Sequence, residues 1–232
     1  MKYLKAIISS KRQHQVPAMQ KLAGKDCFWF VGAGESANYF SEGAVNVVES
    51  GGLCQSRNAA LNMAFEIGIP CLQLSDDAKK IKRAHSKKDS QEISLNDAVS
   101  EMEMVCSAYN AKLCGVAPTS NLFYFNPEKP YKNKGFVVGD MIYVKPSPER
   151  FDENLRLKED YDFTLQHMIS YGKIARLDNI MAEFAHRTNK GGAVAYRTSD
   201  LEKQSIAYLK KKWGKFIVNN PRRPDEILLK FS

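Results

Sequence analysis

Two short acidic runs hold much of the chemistry this sequence could perform. Asp76-Asp77 closes the apolar segment Cys71-Leu72-Gln73-Leu74-Ser75, and Glu159-Asp160-Tyr161-Asp162 stands ahead of an amphipathic stretch. Adjacent carboxylates suit a hard divalent cation, which takes oxygen ligands and often also holds substrate phosphates. An acid at a helix start is an ordinary cap that complements the dipole, and beside an attacking hydroxyl it is a general base. A third run, Ala185-His186-Arg187-Thr188-Asn189-Lys190-Gly191-Gly192, joins cations to paired glycines, as a loop lying close over phosphate would. Its His186 could close a metal site begun by Asp77. A fourth, Gly32-Ala33-Gly34-Glu35-Ser36-Ala37, matches a dinucleotide-binding turn with Ala in the last place, and Glu49 follows where a ribose-binding acid would lie. Against that reading, only a stub of helix fits before Ala44, and Ser36–Gly43 lacks a small apolar packing face.

The elements that position these groups alternate between strand and helix. Tyr3–Ile8, Cys27–Val31, Ala44–Val48 and Cys71–Leu74 read as strands, and Val16–Leu22 as a short helix. Gly51 and Gly52 permit a turn, Ser56 can cap a helix with Leu61, Ala64 and Phe65 on one face, and Gly68 and Pro70 end it. Asp76 and Asp77 then fall at the carboxyl end of a strand, where open α/β sheets place their ligands. Residues 78–92 are cationic and poor in core residues, which predicts a mobile surface loop. Ser94 with Asp97 forms a capping box for a helix burying Leu95, Val99, Met102, Cys106 and Tyr109. Asn121–Phe125 and Phe136–Val144 read as strands, Ile174–Phe184 as one or two more. Ser199 with Glu202 opens a last helix through about Trp213. The pattern is that of a three-layer, mostly parallel α/β sheet.

Composition sets outer bounds. The chain has 232 residues, 44% of them hydrophobic, enough for one sizeable core. No apolar run approaches the ~20 residues of a membrane span. The opening MKYLKAIISSKRQHQ is too polar for a signal peptide, so a cytoplasmic protein without membrane contact is expected. Five cysteines without CxxC spacing read as reduced core thiols. A net charge of +8 points to an anionic partner, and aromatics lie among the cations: Lys79–Lys88, Tyr124, Lys129, Tyr131, Lys132, Lys134 and Lys210–Lys215. Such runs are usually solvated faces; interleaved with aromatics they can also track phosphates and stack bases.

The order of these parts resembles a GT-A-type glycosyltransferase. The residues that carry the resemblance are IISSKRQ (7–13), SRNAALNMAFEIGIPCLQLSDD (56–77), KEDYDF (158–163) and AHRTNKGG (185–192). More narrowly, the whole chain is similar to the TET-associated glycosyltransferases, phage enzymes that attach sugars to hydroxymethylated pyrimidines in DNA. The resemblance implies a GT-A-like three-layer α/β/α fold, mostly parallel with a smaller antiparallel element. It implies one domain, with a nucleotide-binding half over 1–78, an acceptor half over 94–198, and a C-terminal helix and tail over 199–232. A UDP-sugar-type donor would sit on Mn²⁺ or Mg²⁺ held by Asp77 with His186. Ser75-Asp76-Asp77 is a reduced form of the family's metal motif, which leaves open which Asp is the ligand. Ser9, Ser10 and Arg12 would flank the nucleoside, with Asp76 beside them; Arg57 would approach the base or diphosphate, and Arg187 and Lys190 the departing phosphates. Asp160, next to Glu159, would take the acceptor's proton. The implied acceptor is double-stranded DNA carrying a 5-hydroxymethylcytosine-type base, and the implied location the host cytoplasm. Three other readings compete: a GT-A enzyme with a polysaccharide or protein acceptor, a Rossmann-type nicotinamide-dependent oxidoreductase, and a non-catalytic DNA-binding module.

Overall fold

A computed structural model describes residues 2–185 and 196–231. At its centre four parallel strands lie side by side: β1 (Leu4–Ile8), β2 (Phe28–Val31), β3 (Asn46–Glu49) and β4 (Cys71–Ser75). β1 pairs with both β2 and β4, so Ala6 lies opposite Phe28 on one side and Gln73 on the other. Both faces of this sheet are covered, which is why its strands read as nearly continuous apolar runs. On one face Ile7, Trp29, Leu72 and Leu74 pack with Met19 of α1 (Val16–Ala23) and with Val99 and Met102 of α4 (Leu95–Ala108). On the other, Ala6, Ile8 and Phe30 pack with Leu61 and Ala64 of α3 (Leu53–Glu66) and Phe163 of α5 (Glu159–Tyr171). The short α2 (Ser36–Ser41) lies between β2 and β3.

The sheet continues past β4 through β9 (Met141–Val144), β7 (Leu113–Val116), β10 (Ala175–Leu177) and β8 (Tyr131–Lys132). β9 runs antiparallel to both β4 and β7, and β8 antiparallel to β10; the other six strands share one direction. A second, antiparallel sheet has the order β11 (Ile180–Phe184), β5 (Ala78–Ala84), β6 (Ser90–Glu92). α6 (Ser199–Trp213) and the hairpin β12 (Ile217–Asn220)–β13 (Arg223–Leu229) close a small apolar cluster of Leu165, Leu209, Ile217 and Ile227. The expected class, a mostly parallel α/β sheet with a smaller antiparallel element, is the one observed.

Several local expectations need correction. Residues 78–92 are two strands rather than a mobile loop. Ala78, Ile81 and Ala84 are buried, and three of the cations meet carboxylates: Lys82 meets Glu183 at 2.5 Å, Lys80 meets Glu92 at 3.2 Å and Arg83 meets Glu101 at 2.6 Å. Asn121–Phe125 is a turn instead of a strand, because the Asn121 side chain accepts the Phe123 N–H at 3.0 Å and curls the chain. In 136–144 only Met141–Val144 pair as a strand. Ser56 lies inside α3; the helix starts four residues earlier because Gln55 folds back to accept the Gly52 N–H at 2.7 Å. α6 is capped by Thr198, whose hydroxyl accepts the Leu201 N–H at 3.2 Å, so Ser199 is the first helical residue instead of the cap. The third strand begins at Asn46, two residues late. Ser94 caps α4 as read, though Asp97 accepts its hydroxyl at 2.7 Å; the two strands in 174–184 and the five buried free cysteines are also as read.

Candidate active site

β1 and β4 end side by side, and the chain leaving each carries polar residues into one place. Ser9 follows β1, and its hydroxyl donates to Asp76 Oδ2 at 2.6 Å. Arg12 Nη1 donates to Asp76 Oδ1 at 2.8 Å and lies 3.7 Å from Asp77 Oδ2. Tyr39, on α2, closes the knot: its hydroxyl lies 2.6 Å from Ser9 Oγ and accepts the Arg12 N–H at 3.2 Å. Arg12, Asp76 and Asp77 are all buried, at 7%, 3% and 5% exposure. Burial pushes the Asp76 carboxyl up, while Ser9 and Arg12 pull it down. Ser75, at the end of β4, binds Asp140 twice: its N–H donates to the Asp140 carbonyl at 2.8 Å and its hydroxyl to Oδ1 at 3.3 Å.

The second acid group sits at the start of α5, across from α3, and its members part ways. Glu159 lies 3.3 Å from Arg57 Nε. Arg57 is itself 4% exposed, and Gln73 of β4 braces it, accepting from Nη1 at 3.1 Å and donating to the Arg57 carbonyl at 2.8 Å. Asp160 is half-buried on the cleft wall; Gly139 N–H donates to its Oδ2 at 3.3 Å. Burial, and then the Glu159 charge, push the Asp160 carboxyl up to about 7. Asp162 turns inward, fully buried, and receives Trp213 Nε1 at 2.7 Å and Lys212 Nζ at 2.8 Å, so it fastens α6 to α5.

Two backbone details fix this corner. Gly139 passes so close that a Cβ there would stand 2.7 Å from Arg57 Nη2 and 3.4 Å from Asp160 Cβ. Lys158, ahead of α5, adopts a left-handed conformation (φ 63°), which costs a non-glycine residue about 1–2 kcal/mol. Its ammonium is tied to Glu202 at 2.7 Å, linking the start of α5 to α6 as well.

The two acid groups face one cleft of about 730 Å³ at the carboxyl ends of β1 and β4. Ser9, Ser10, Arg12, Arg57, Asp76, Asp77, Glu159 and Asp160 all line it. His186, Arg187 and Lys190 lie outside the described residues. Sequence reading missed Asp140, Arg156, Lys158 and Arg197, which line the same cleft. Asp140 was hidden inside a stretch read as strand; the Gly139-Asp140 pair ahead of the apolar Met141–Val144 was the available signal. Among the described residues no three His, Cys, Asp or Glu side chains cluster as a metal shell. Ser9 and Arg12 meet both Asp76 oxygens, and the same Arg12 guanidinium lies beside Asp77.

The glycine-rich turn is occupied by its own chain. Glu49 accepts the Gly34 and Ser36 N–H groups, both at 3.0 Å. Those hydrogen bonds, with the Ser36 hydroxyl foremost, draw its carboxyl down to about 2. The amides that a pyrophosphate would need are thereby engaged, and Glu49 is turned to them instead of toward a ribose.

No protein-family model matches the chain, and neither does any curated protein. Among solved structures, A197 from STIV is similar over 100% of this chain and 95% of its own, at 11% identity and a TM-score of 0.46. Mannose-1-phosphate geranyltransferase from Thermus thermophilus is similar over 78% of this chain and 57% of its own, at 13% identity and a TM-score of 0.34. No helix among the described residues is long and apolar enough to cross a membrane.

Proposed function

We propose that this protein is a metal-dependent glycosyltransferase. It would move a sugar from a nucleotide-sugar donor to the hydroxymethyl group of a modified pyrimidine in double-stranded DNA. The observation that carries the reading is the cleft: a carboxyl held near neutrality and a fixed arginine–carboxylate knot face the same volume from two ends of the chain. A nucleotide sugar needs cations and hydrogen-bond donors at one end of such a volume and a base at the other.

In this reading Ser9, Ser10 and Arg12 receive the nucleoside side of the donor, and Arg57, braced by Glu159 and Gln73, faces the diphosphate. The acceptor oxygen attacks the anomeric carbon, the bond from that carbon to the diphosphate oxygen breaks, and Asp160 takes the hydroxyl proton as the attack proceeds. Positive charge builds on the sugar ring and negative charge on the leaving diphosphate. Mg²⁺ or Mn²⁺ at Asp77, with Asp76 beside it and His186 as a further candidate ligand, would supply charge to that leaving group. Arg187 and Lys190 are proposed for the same end of the donor.

The DNA acceptor rests on the net charge of +8 and on the resemblance of the sequence motifs. A hydroxymethyl on a pyrimidine projects into the major groove, so a base deep in this cleft would have to be flipped, at a cost of a few kcal/mol. Release of nucleoside diphosphate with Mn²⁺ or Mg²⁺, compared between ordinary DNA and DNA bearing 5-hydroxymethylcytosine, tests the proposal. Release with the modified DNA alone is expected. Release independent of DNA would keep the transferase and discard the acceptor. No release and no binding of any nucleotide sugar would overturn both.

A further inference from the structure

Away from the cleft, two large aromatic side chains stand together in solvent. Phe123 and Tyr124 are each 70% exposed, their rings edge to face with centroids 5.3 Å apart. Scattered exposed apolar residues need no explanation, but this pair is displayed on a pinned turn. The Asn121 side chain caps the turn at 3.0 Å, and the Phe125 N–H donates to the Leu122 carbonyl at 3.0 Å. Leu122 and the buried Phe125 are seated against Ala84 and Met181, at the far end of β5 and on β11. The turn is therefore anchored from below while its two rings face out.

Cations accompany the rings. Lys87, in the turn between β5 and β6, places its ammonium 5.9 Å from the centre of the Phe123 ring, and exposed Lys88 follows it. Lys80, Lys82 and Arg83 on β5 are paired with Glu92, Glu183 and Glu101, so Lys87 and Lys88 stand beyond the last of those pairs. β5 begins next to Asp77 and ends at Ala84; at about 3.3 Å per residue the patch lies roughly 20 Å from the acids. A ligand that met both would have to be a polymer.

We infer that Phe123 and Tyr124, with Lys87 and Lys88, form a nucleic-acid contact outside the cleft that stacks unpaired bases of a strand whose phosphates lie against the lysines. Aromatic faces accept any base, and lysines at the edge neutralise the backbone, so the contact is sequence-tolerant and salt-sensitive. It stands independently of sugar transfer.

Fluorescence anisotropy with a short labelled single strand and its duplex, without nucleotide sugar or added metal, tests it. The double variant Phe123→Ala/Tyr124→Ala should lose roughly tenfold or more in single-strand affinity, and less with duplex. Its melting temperature should stay at the wild-type value, since both side chains are exposed. Phe123→Trp should retain binding, and Lys87→Gln should weaken binding to both forms and flatten the salt dependence. Unchanged single-strand affinity in the double alanine variant, with its melting temperature kept, would overturn the inference. Loss of self-association with nucleic-acid binding intact would also overturn it, and would make the patch a contact between copies. Because no donor is present, this result is read separately from the transferase test.

Discussion

Asp76-Asp77 and Glu159-Asp160 are both adjacent carboxylates at the edge of one cleft, each near an arginine, and they are held in different ways. In the first pair Arg12 spans both acids and Ser9 completes Asp76, so one guanidinium is shared between two carboxylates. In the second, Arg57 meets Glu159, while Asp160 is held by the Gly139 and Tyr161 N–H groups at 3.3 and 3.0 Å, and burial and the Glu159 charge push its carboxyl up to about 7. The same residue types thus give one corner locked by an arginine and one carboxyl pushed up toward the neutral range. Environment, more than composition, sets the role of a carboxylate.

Substitutions should separate the two corners. The largest effect is expected for Asp160→Asn, which should lower kcat by roughly 10²–10⁴-fold, the span of general-base catalysis, with the melting temperature little changed. Asp77→Asn should lower turnover by about two orders of magnitude or more while DNA affinity, read by anisotropy, stays near wild type. Equal turnover at saturating metal would remove Asp77 from the cation. Arg12→Met should strike stability, since it leaves Asp76 buried and without its guanidinium; about 3–5 kcal/mol lost in urea denaturation is expected. Lys80→Ala provides the contrast on the second sheet. Lys80 and Glu92 are 52% and 61% exposed as side chains, and their pair should be worth under about 1 kcal/mol. A large loss there would contradict the distinction drawn between buried and surface ion pairs.

The same contrast explains what the sequence made legible. Asp76, Asp77, Glu159 and Asp160 were readable because strand ends and helix starts are local features, marked by Pro70, by short apolar runs and by acids in a first turn. The α/β pattern places only Asp76-Asp77 at the carboxyl end of a strand; that Glu159-Asp160 shares their site is implied by the resemblance alone. Residues 78–92 read as a loop because, in sequence, charge without a local partner signals solvation. Their partners, Glu101 and Glu183, lie far along the chain, and no local pattern announces a matched charge. Gln73 is similar: a polar residue inside an apolar strand, fully buried, whose reason is Arg57 on the neighbouring helix. Gly139 could not be read as a close-approach residue until Arg57 and Asp160 were seen on either side of it.

The most direct test of the central claim is the pH dependence of nucleoside diphosphate release, measured on the wild type and on Glu159→Gln. A carboxyl raised to about 7 is protonated below that value and is a base above it, so turnover should climb as pH passes through about 7. The Glu159 charge helps hold Asp160 up, and removing it also leaves Arg57 uncompensated nearby, so the midpoint in Glu159→Gln should move to lower pH. A flat profile from mildly acid to mildly alkaline pH, or a midpoint that stays put in Glu159→Gln, would contradict the assignment of Asp160 as the proton acceptor.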